Sequence, residues 1–130
     1  MKTAKELLLG YLENINDADT TIDLFADDAA LELPYLASLD KQWRWEGREV
    51  LHNFIKNFPK GYEDFAFKNI QILIDTPEQV FGEYQVEAVF KKTGKVYRQT
   101  YMGRLVAQNG KIKLLREALN LAEVTKAMTV

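Results

Sequence analysis

The chain has 130 residues, 47% hydrophobic and 28% charged, with a formal net charge of −2, no cysteine and one histidine. That is enough for one domain with a real core and too short for two, so a single domain over residues 1–130 is expected. The charge balance argues against nucleic acid, the missing cysteines exclude disulfides and thiolate chemistry, and one histidine leaves zinc short of its usual ligands.

Residues 3–16 place Ala4, Leu8, Tyr11, Leu12 and Ile15 on one stripe of an amphipathic helix. Asn16-Asp17 ends it, and Asp19 is a candidate N-cap for a short helix running to Phe25. Asp27-Asp28 reads as a turn, and residues 30–33 as a strand stopped by Pro34. Residues 35–45, with Trp43 and Trp45, have no clear period and read as a loop over a cavity mouth. Gly47-Arg48-Glu49 opens a third helix that buries Leu51, Phe54, Ile55 and Phe58 and stops at Pro59.

After Tyr62 the pattern changes to strands. The apolar parity shifts between Phe67 and Ile70, which predicts a β-bulge or a strong bend. Residues 79–92 alternate cleanly, with Val80, Gly82, Tyr84 and Val86 on one face. Thr93-Gly94 closes one hairpin, and Asn109-Gly110, suited to a type I′ turn, closes the next. Residues 121–130 suit a helical tail. No apolar run reaches membrane-spanning length, so no membrane association and a cytoplasmic location are expected. Helices beside an antiparallel sheet make an α+β fold, and a bent sheet wrapped on helices leaves a conical hollow.

On the last strand, Leu115, Glu117 and Leu119 share a face, and Arg116, Ala118 and Asn120 share the other. A carboxylate between two inward leucines loses hydration, which raises its pKa toward the range useful for proton transfer. The opposite parity would put Glu117 in solvent, and neighbouring groups would make it a structural carboxylate. Tyr101, on one face with Gln99 and Tyr97, is a candidate donor to a substrate carbonyl. His52 sits at the edge of its helix's apolar stripe and reads as a solvated or partly buried side chain. Arg104 and Arg116 are expected on the outer sheet face, paired with Glu83 or Glu87.

GYLENINDADTTIDLFADDAALELPY, WEGREVLHNF and YMGRLVAQNGKIKLLREALN resemble the SnoaL-like branch of the nuclear-transport-factor-2-like (NTF2-like) superfamily. The resemblance implies a cystatin-like cone of curved antiparallel sheet around three N-terminal helices, and a homodimer through the outer sheet face. Against ketosteroid isomerase, the oxyanion tyrosine falls on Tyr11, but the catalytic aspartate falls on Leu33 and the second acid near Gly103 or Met102. That chemistry is not expected. Against the phenazine-biosynthesis A/B type, the acid/base glutamate falls on Glu117, while its histidine partner has no counterpart, His52 lying about two positions early.

The resulting expectation is an apolar or aromatic small molecule held in the cone, without a cofactor or metal. Glu117 and Tyr101 are the catalytic candidates. Tyr11 and Leu33, Tyr35 and Trp45 of the loop, Phe54 and Phe58 of the third helix, and Gln99, Leu115 and Leu119 of the late strands are the expected ligand contacts. The alternative is a dimeric scaffold or ligand carrier with an inert pocket.

Overall fold

In a computed structural model describing residues 1–130, helix α1 (Ala4–Glu13) begins at a capping box. Glu6 N–H donates to Thr3 Oγ1 at 3.3 Å, and Thr3 N–H donates to Glu6 Oε1 at 3.0 Å. The predicted stripe, Ala4 to Ile15, is buried. Helix α2 (Ala18–Ile22) is capped by Asp17 rather than Asp19, with Thr20 N–H donating to Asp17 Oδ1 at 3.1 Å. Asp19 already lies within the first turn, past the N–H group that needs a partner.

The chain then enters β1 (Phe25–Glu32), earlier than expected, so helix α2 cannot reach Phe25. Asp27 and Asp28 lie inside this strand instead of forming a turn. The register against the last strand shifts between Phe25 and Ala30, and this irregularity turns both carboxylates outward, where Asp28 meets Lys113 Nζ at 2.5 Å. The segment expected to be a loop holds a short 3-10 helix, Pro34–Leu39, and strand β2 (Arg44–Glu46), which pairs Trp45 with Leu31. Helix α3 (Arg48–Asn57) ends before Pro59. The strands β3 (Tyr62–Glu63), β4 (Lys68–Asp75), β5 (Gln79–Phe90), β6 (Lys95–Gln108) and β7 (Lys111–Ala118) follow, then helix α4 (Leu121–Met128). No helix is long and apolar enough to cross a membrane.

The sheet runs β2-β1-β7-β6-β5-β3, with β4 also on β5. It is not wholly antiparallel: β1 runs parallel to β7. Most of the chain separates those two strands, so no short connection dictates their direction. The expected bulge is present, with Asn69 at φ 53° and a register shift between Lys68 and Gln71. The β6–β7 turn carries positive φ at both Asn109 (53°) and Gly110 (75°), as a type I′ turn requires.

The inner face of the sheet packs Val80, Tyr84, Tyr101, Leu105 and Leu115 against α1 and α3. Two glycines, Gly82 and Gly103, stand opposite each other at the centre of this face. A Cβ on Gly82 would come within 3.3 Å of Leu8, so its absence lets α1 nest. A Cβ on Gly103 would collide with the Tyr84 hydroxyl, come within 3.1 Å of that ring and lie 3.4 Å from Glu117 Cγ.

Arg104 and Arg116 lie on the outer face as expected, opposite each other in the β6–β7 pairing, but not with the expected partners. Arg104 Nε donates to Gln79 Oε1 at 3.0 Å, and Arg116 Nη1 donates to Glu32 Oε1 at 2.6 Å. Register is the reason: Glu87 lies opposite Arg98, which it meets at 3.6 Å, whereas Arg104 lies opposite Phe81. Burial pushes the Glu32 carboxyl up, but the guanidinium groups of Arg44, at 2.7 Å, and Arg116 outweigh it and leave the pKa lowered.

Replacing Gly103 by Ala forces Tyr84 out of its place. Urea unfolding should show a loss of about 2 kcal/mol, the usual cost of overpacking a filled core. Adding Tyr84→Phe, which removes the clashing oxygen, should recover part of that loss; strictly additive costs would show that the clash lies elsewhere.

Candidate functional site

Two features of the cone's interior lie side by side: an apolar cavity near its mouth and a buried acid deeper in. The cavity has a volume of about 220 Å³. Among the expected contacts, Leu33, Trp45, Phe54, Phe58 and Leu119 line it, as does the catalytic candidate Tyr101. Its walls also include Tyr62 and Phe90, and Val124 and Met128 of α4. The four-residue spacing of Val124 and Met128 was visible in the sequence, but nothing local says which element that helix face covers. Trp45 and Phe54 stack with ring centroids 3.9 Å apart, and Phe54 continues to Phe58 at 5.3 Å, making one aromatic wall.

The remaining expected contacts lie elsewhere. Tyr11, Gln99 and Leu115 are buried in the core outside this cavity. Tyr35 is 55% exposed on the 3-10 helix and lines an outer-face groove with Phe81, Met102, Arg104 and Arg116. His52 faces away from the cone, its ring nitrogen 2.8 Å from Asp19 Oδ1 across the α2–α3 contact.

Glu117 is 3% exposed, directly across from Gly103 on β6. Tyr84 donates a hydrogen bond to its Oε2. The ring of Tyr101 lies 5.9 Å from that of Tyr84, stacked, and Phe67 meets both edge-on at 5.8 Å and 5.3 Å. Burial pushes the Glu117 carboxyl up to about 7, against the hydrogen bond from Tyr84, which favours the charged form. Burial, reinforced by the charge of Glu117, also raises the phenols of Tyr11, Tyr84 and Tyr101 well above 10.0, so they remain proton donors at any ordinary pH.

Tyr101 borders both features, and its hydroxyl is oriented by a short chain of bonds. Gln99 Nε2 donates to Tyr97 Oη at 3.2 Å, and Tyr97 and Tyr101 share a hydroxyl contact of 2.8 Å. A hydroxyl has one proton and two acceptor sites, so Tyr97 accepts from Gln99 and still shares its contact with Tyr101, in which either hydroxyl can be the donor. The other bonds of Gln99 fasten the start of α4. Its Oε1 accepts from Asn120 N–H at 2.6 Å, and its Nε2 donates to Asn120 O at 3.0 Å. At the far end of α4, Thr93 Oγ1 donates to Ala127 O at 2.5 Å. The helix is therefore pinned over the cavity at both ends. None of this pairing is visible locally in the sequence, because it joins residues 21 or more positions apart.

The sequence matches the SnoaL-like domain over residues 11–115. YesE, an uncharacterised protein of Bacillus subtilis (strain 168), is 26% identical over 127 residues, spanning 97% of this chain and 84% of its own. A proposed isomerase from Bacillus subtilis superposes with a TM-score of 0.83 at 26% identity, over 95% of this chain and 91% of its own. A phenazine biosynthesis-related protein from Pseudomonas aeruginosa superposes with a TM-score of 0.80 at 20% identity, over 98% and 85%, a likeness of fold alone. The cone is thus an α+β fold of the NTF2-like kind, and with most of its length matched the chain belongs to the SnoaL-like domain family.

Proposed function

We propose that this protein binds an apolar cyclic small molecule in the cone and uses Glu117 for cofactor-free acid/base chemistry of the isomerase, cyclase or dehydratase type. The observation that carries the reading is the buried acid itself. Glu117 accepts a hydrogen bond from Tyr84, whose ring stacks on that of Tyr101, a residue of the cavity wall. The likeness to a proposed isomerase is consistent with it.

In the proposed step, the Glu117 carboxylate takes a proton from the carbon next to a ligand carbonyl. Tyr101 donates a hydrogen bond to the enolate oxygen that develops, and Glu117 then returns the proton at another carbon. The electron pair of the broken C–H bond moves into the enolate and back out to the carbon that is reprotonated. Leu119 lines the cavity two residues beyond Glu117 on the same face, so the acid lies about 7 Å deeper. A reacting ligand must therefore seat its carbonyl end past the ring of Tyr101. A surface role is part of the same proposal: Phe81, Met102 and the Arg104–Arg116 pair on the outer sheet face meet a second copy of the chain.

One observation favours a second reading, a carrier without turnover. Glu117 does not line the cavity, and Tyr84 already occupies one of its oxygens. Hydrogen exchange next to the carbonyl of cyclohex-3-enone in D2O, followed by NMR, separates the two readings. The enzymatic reading requires exchange faster than in buffer, rising with pH through about 7 as the carboxylate forms. Glu117→Gln should slow it about a hundredfold. Exchange no faster than in buffer, or unchanged by the substitution, leaves the carrier.

Stability tests the burial of the acid independently of turnover. Between the ordinary carboxyl value of 4.5 and about 7, the folded chain keeps a proton on Glu117 that the unfolded chain has released. The stabilising contribution is therefore complete below 4.5 and lost as pH rises through about 7. Glu117→Gln has no such loss. Relative to the wild type, it should gain roughly 3 kcal/mol between acidic and mildly alkaline pH in chemical denaturation. An unchanged difference across that range would place the carboxyl in water.

A further inference from the structure

The cavity's rim carries a charge that the proposed chemistry leaves unused. Lys41, just after the 3-10 helix, is the only charged residue lining the cavity; the other polar side chain at the rim, Gln42, is neutral. Lys41 is exposed and forms no ion pair within the chain. No carboxylate lines the cavity, and Glu123, on the helix that covers it, is engaged with Lys126 at 3.6 Å. The interior is built from aromatic rings and aliphatic chains, so a charged group on a ligand has one place to go: outward, to the lysine.

Volume sets the other limit. A cavity of about 150 Å³ takes one benzene molecule. At about 220 Å³ this one has room for a single six-membered ring and a short substituent, and is too small to take in three fused rings. Trp45, Phe54, Tyr62, Phe90 and Tyr97 surround that space with ring faces and edges, which suits a flat or nearly flat body.

We propose that the cavity takes a single-ring carboxylic acid, with the ring against the aromatic wall and the carboxylate at Lys41. This deepens the small-molecule reading above, on whose cavity it rests, and assigns Lys41 as the residue that selects for the acid and orients it. Held by its carboxylate at the mouth, the ligand presents its opposite end to Tyr101.

Isothermal calorimetry with three probes tests the assignment: cinnamate, its neutral amide, and the three-ring anthracene-2-carboxylate. Cinnamate should bind, and cinnamamide should bind about fivefold more weakly, as expected for an ion pair in partly solvated surroundings. The three-ring acid should not compete. Lys41→Ala should make acid and amide equal, and Lys41→Arg should restore the preference. Because Lys41 is exposed, neither substitution puts folding at risk. Equal binding of acid and amide by the wild type, or a preference that survives Lys41→Ala, overturns the role of the lysine. Tight binding of the three-ring acid overturns the size limit, and failure of cinnamate to bind overturns the ligand class. Glu117→Gln does not touch this cavity and should leave cinnamate binding within about twofold, since small changes are the rule away from the contact. Loss of turnover in that variant therefore bears on the acid/base reading and not on Lys41.

Discussion

A carboxyl group cut off from water must be neutralised or well bonded, and the position of Glu117 in β7 imposes that condition on the strands around it. Gly103 lies directly across from Glu117 on β6, and Gly82 lies across from Gly103 on β5. The missing side chain at Gly103 leaves the space in which the Tyr84 hydroxyl reaches the acid. Slipping β7 by one residue against β6 would turn Arg116 inward and Glu117 outward, losing the hydrogen bond and burying a guanidinium. The pairing of the three long strands and the state of this one acid are thus a single constraint. Aliphatic packing alone would tolerate more than one register, and the polar pair does not.

Much of this could be read from the chain, wherever the signal was local. The alternation of residues 79–90, the Asn109-Gly110 turn and the stripe of the first helix each announce themselves within a few residues. The inward aim of Glu117 was one of the two parities its strand allowed, the one its flanking leucines favour. What escaped was non-local, or local chemistry overruled by pairing. Asp27-Asp28 has the composition of a turn, yet β1 runs through it because Phe25 and Ala30 both find partners on β7. The partners of Arg104 and Arg116 depend on registers that no single strand contains. Tyr84 was legible as a face-mate of Val80, Gly82 and Val86, but its bond to Glu117 needs two hairpin registers at once. Gln99, expected at a ligand, spends its amide on the hydroxyl of Tyr97, its same-face neighbour, and on the backbone of Asn120, of which its strand gives no hint.

The structure also divides what the sequence had merged. A cone with one acid inside suggests a ligand resting on that acid, whereas the cavity wall includes Tyr101 and not Glu117, which is bonded to the Tyr84 stacked on Tyr101. The division has an electrostatic consequence. Glu117 sits where water is excluded, so its proton affinity is set by burial and Tyr84 rather than by solvent, and the cavity beside it stays apolar enough to receive a ring. Helix α4, tied through Gln99 to the same strand that carries Tyr101, closes the outer wall. Any displacement of the start of this helix would disturb the bonds that orient the Tyr97–Tyr101 hydroxyls.

The polarity of the interior is one-sided. Leu33, just after β1, makes that flank apolar, whereas the buried phenols come from Tyr62 on β3, Tyr84 on β5, Tyr97 and Tyr101 on β6 and Tyr11 on α1, and the acid from β7. A small ketone entering such a space gains nothing from turning its oxygen toward Leu33, which has no donor to replace the water it sheds. Toward β6 it meets the linked hydroxyls of Tyr97 and Tyr101. Orientation would then follow from what the Leu33 flank lacks as much as from what β6 offers. The same family of cones can accordingly direct different ligands by moving a single polar side chain from one flank to another, without altering the sheet that carries them.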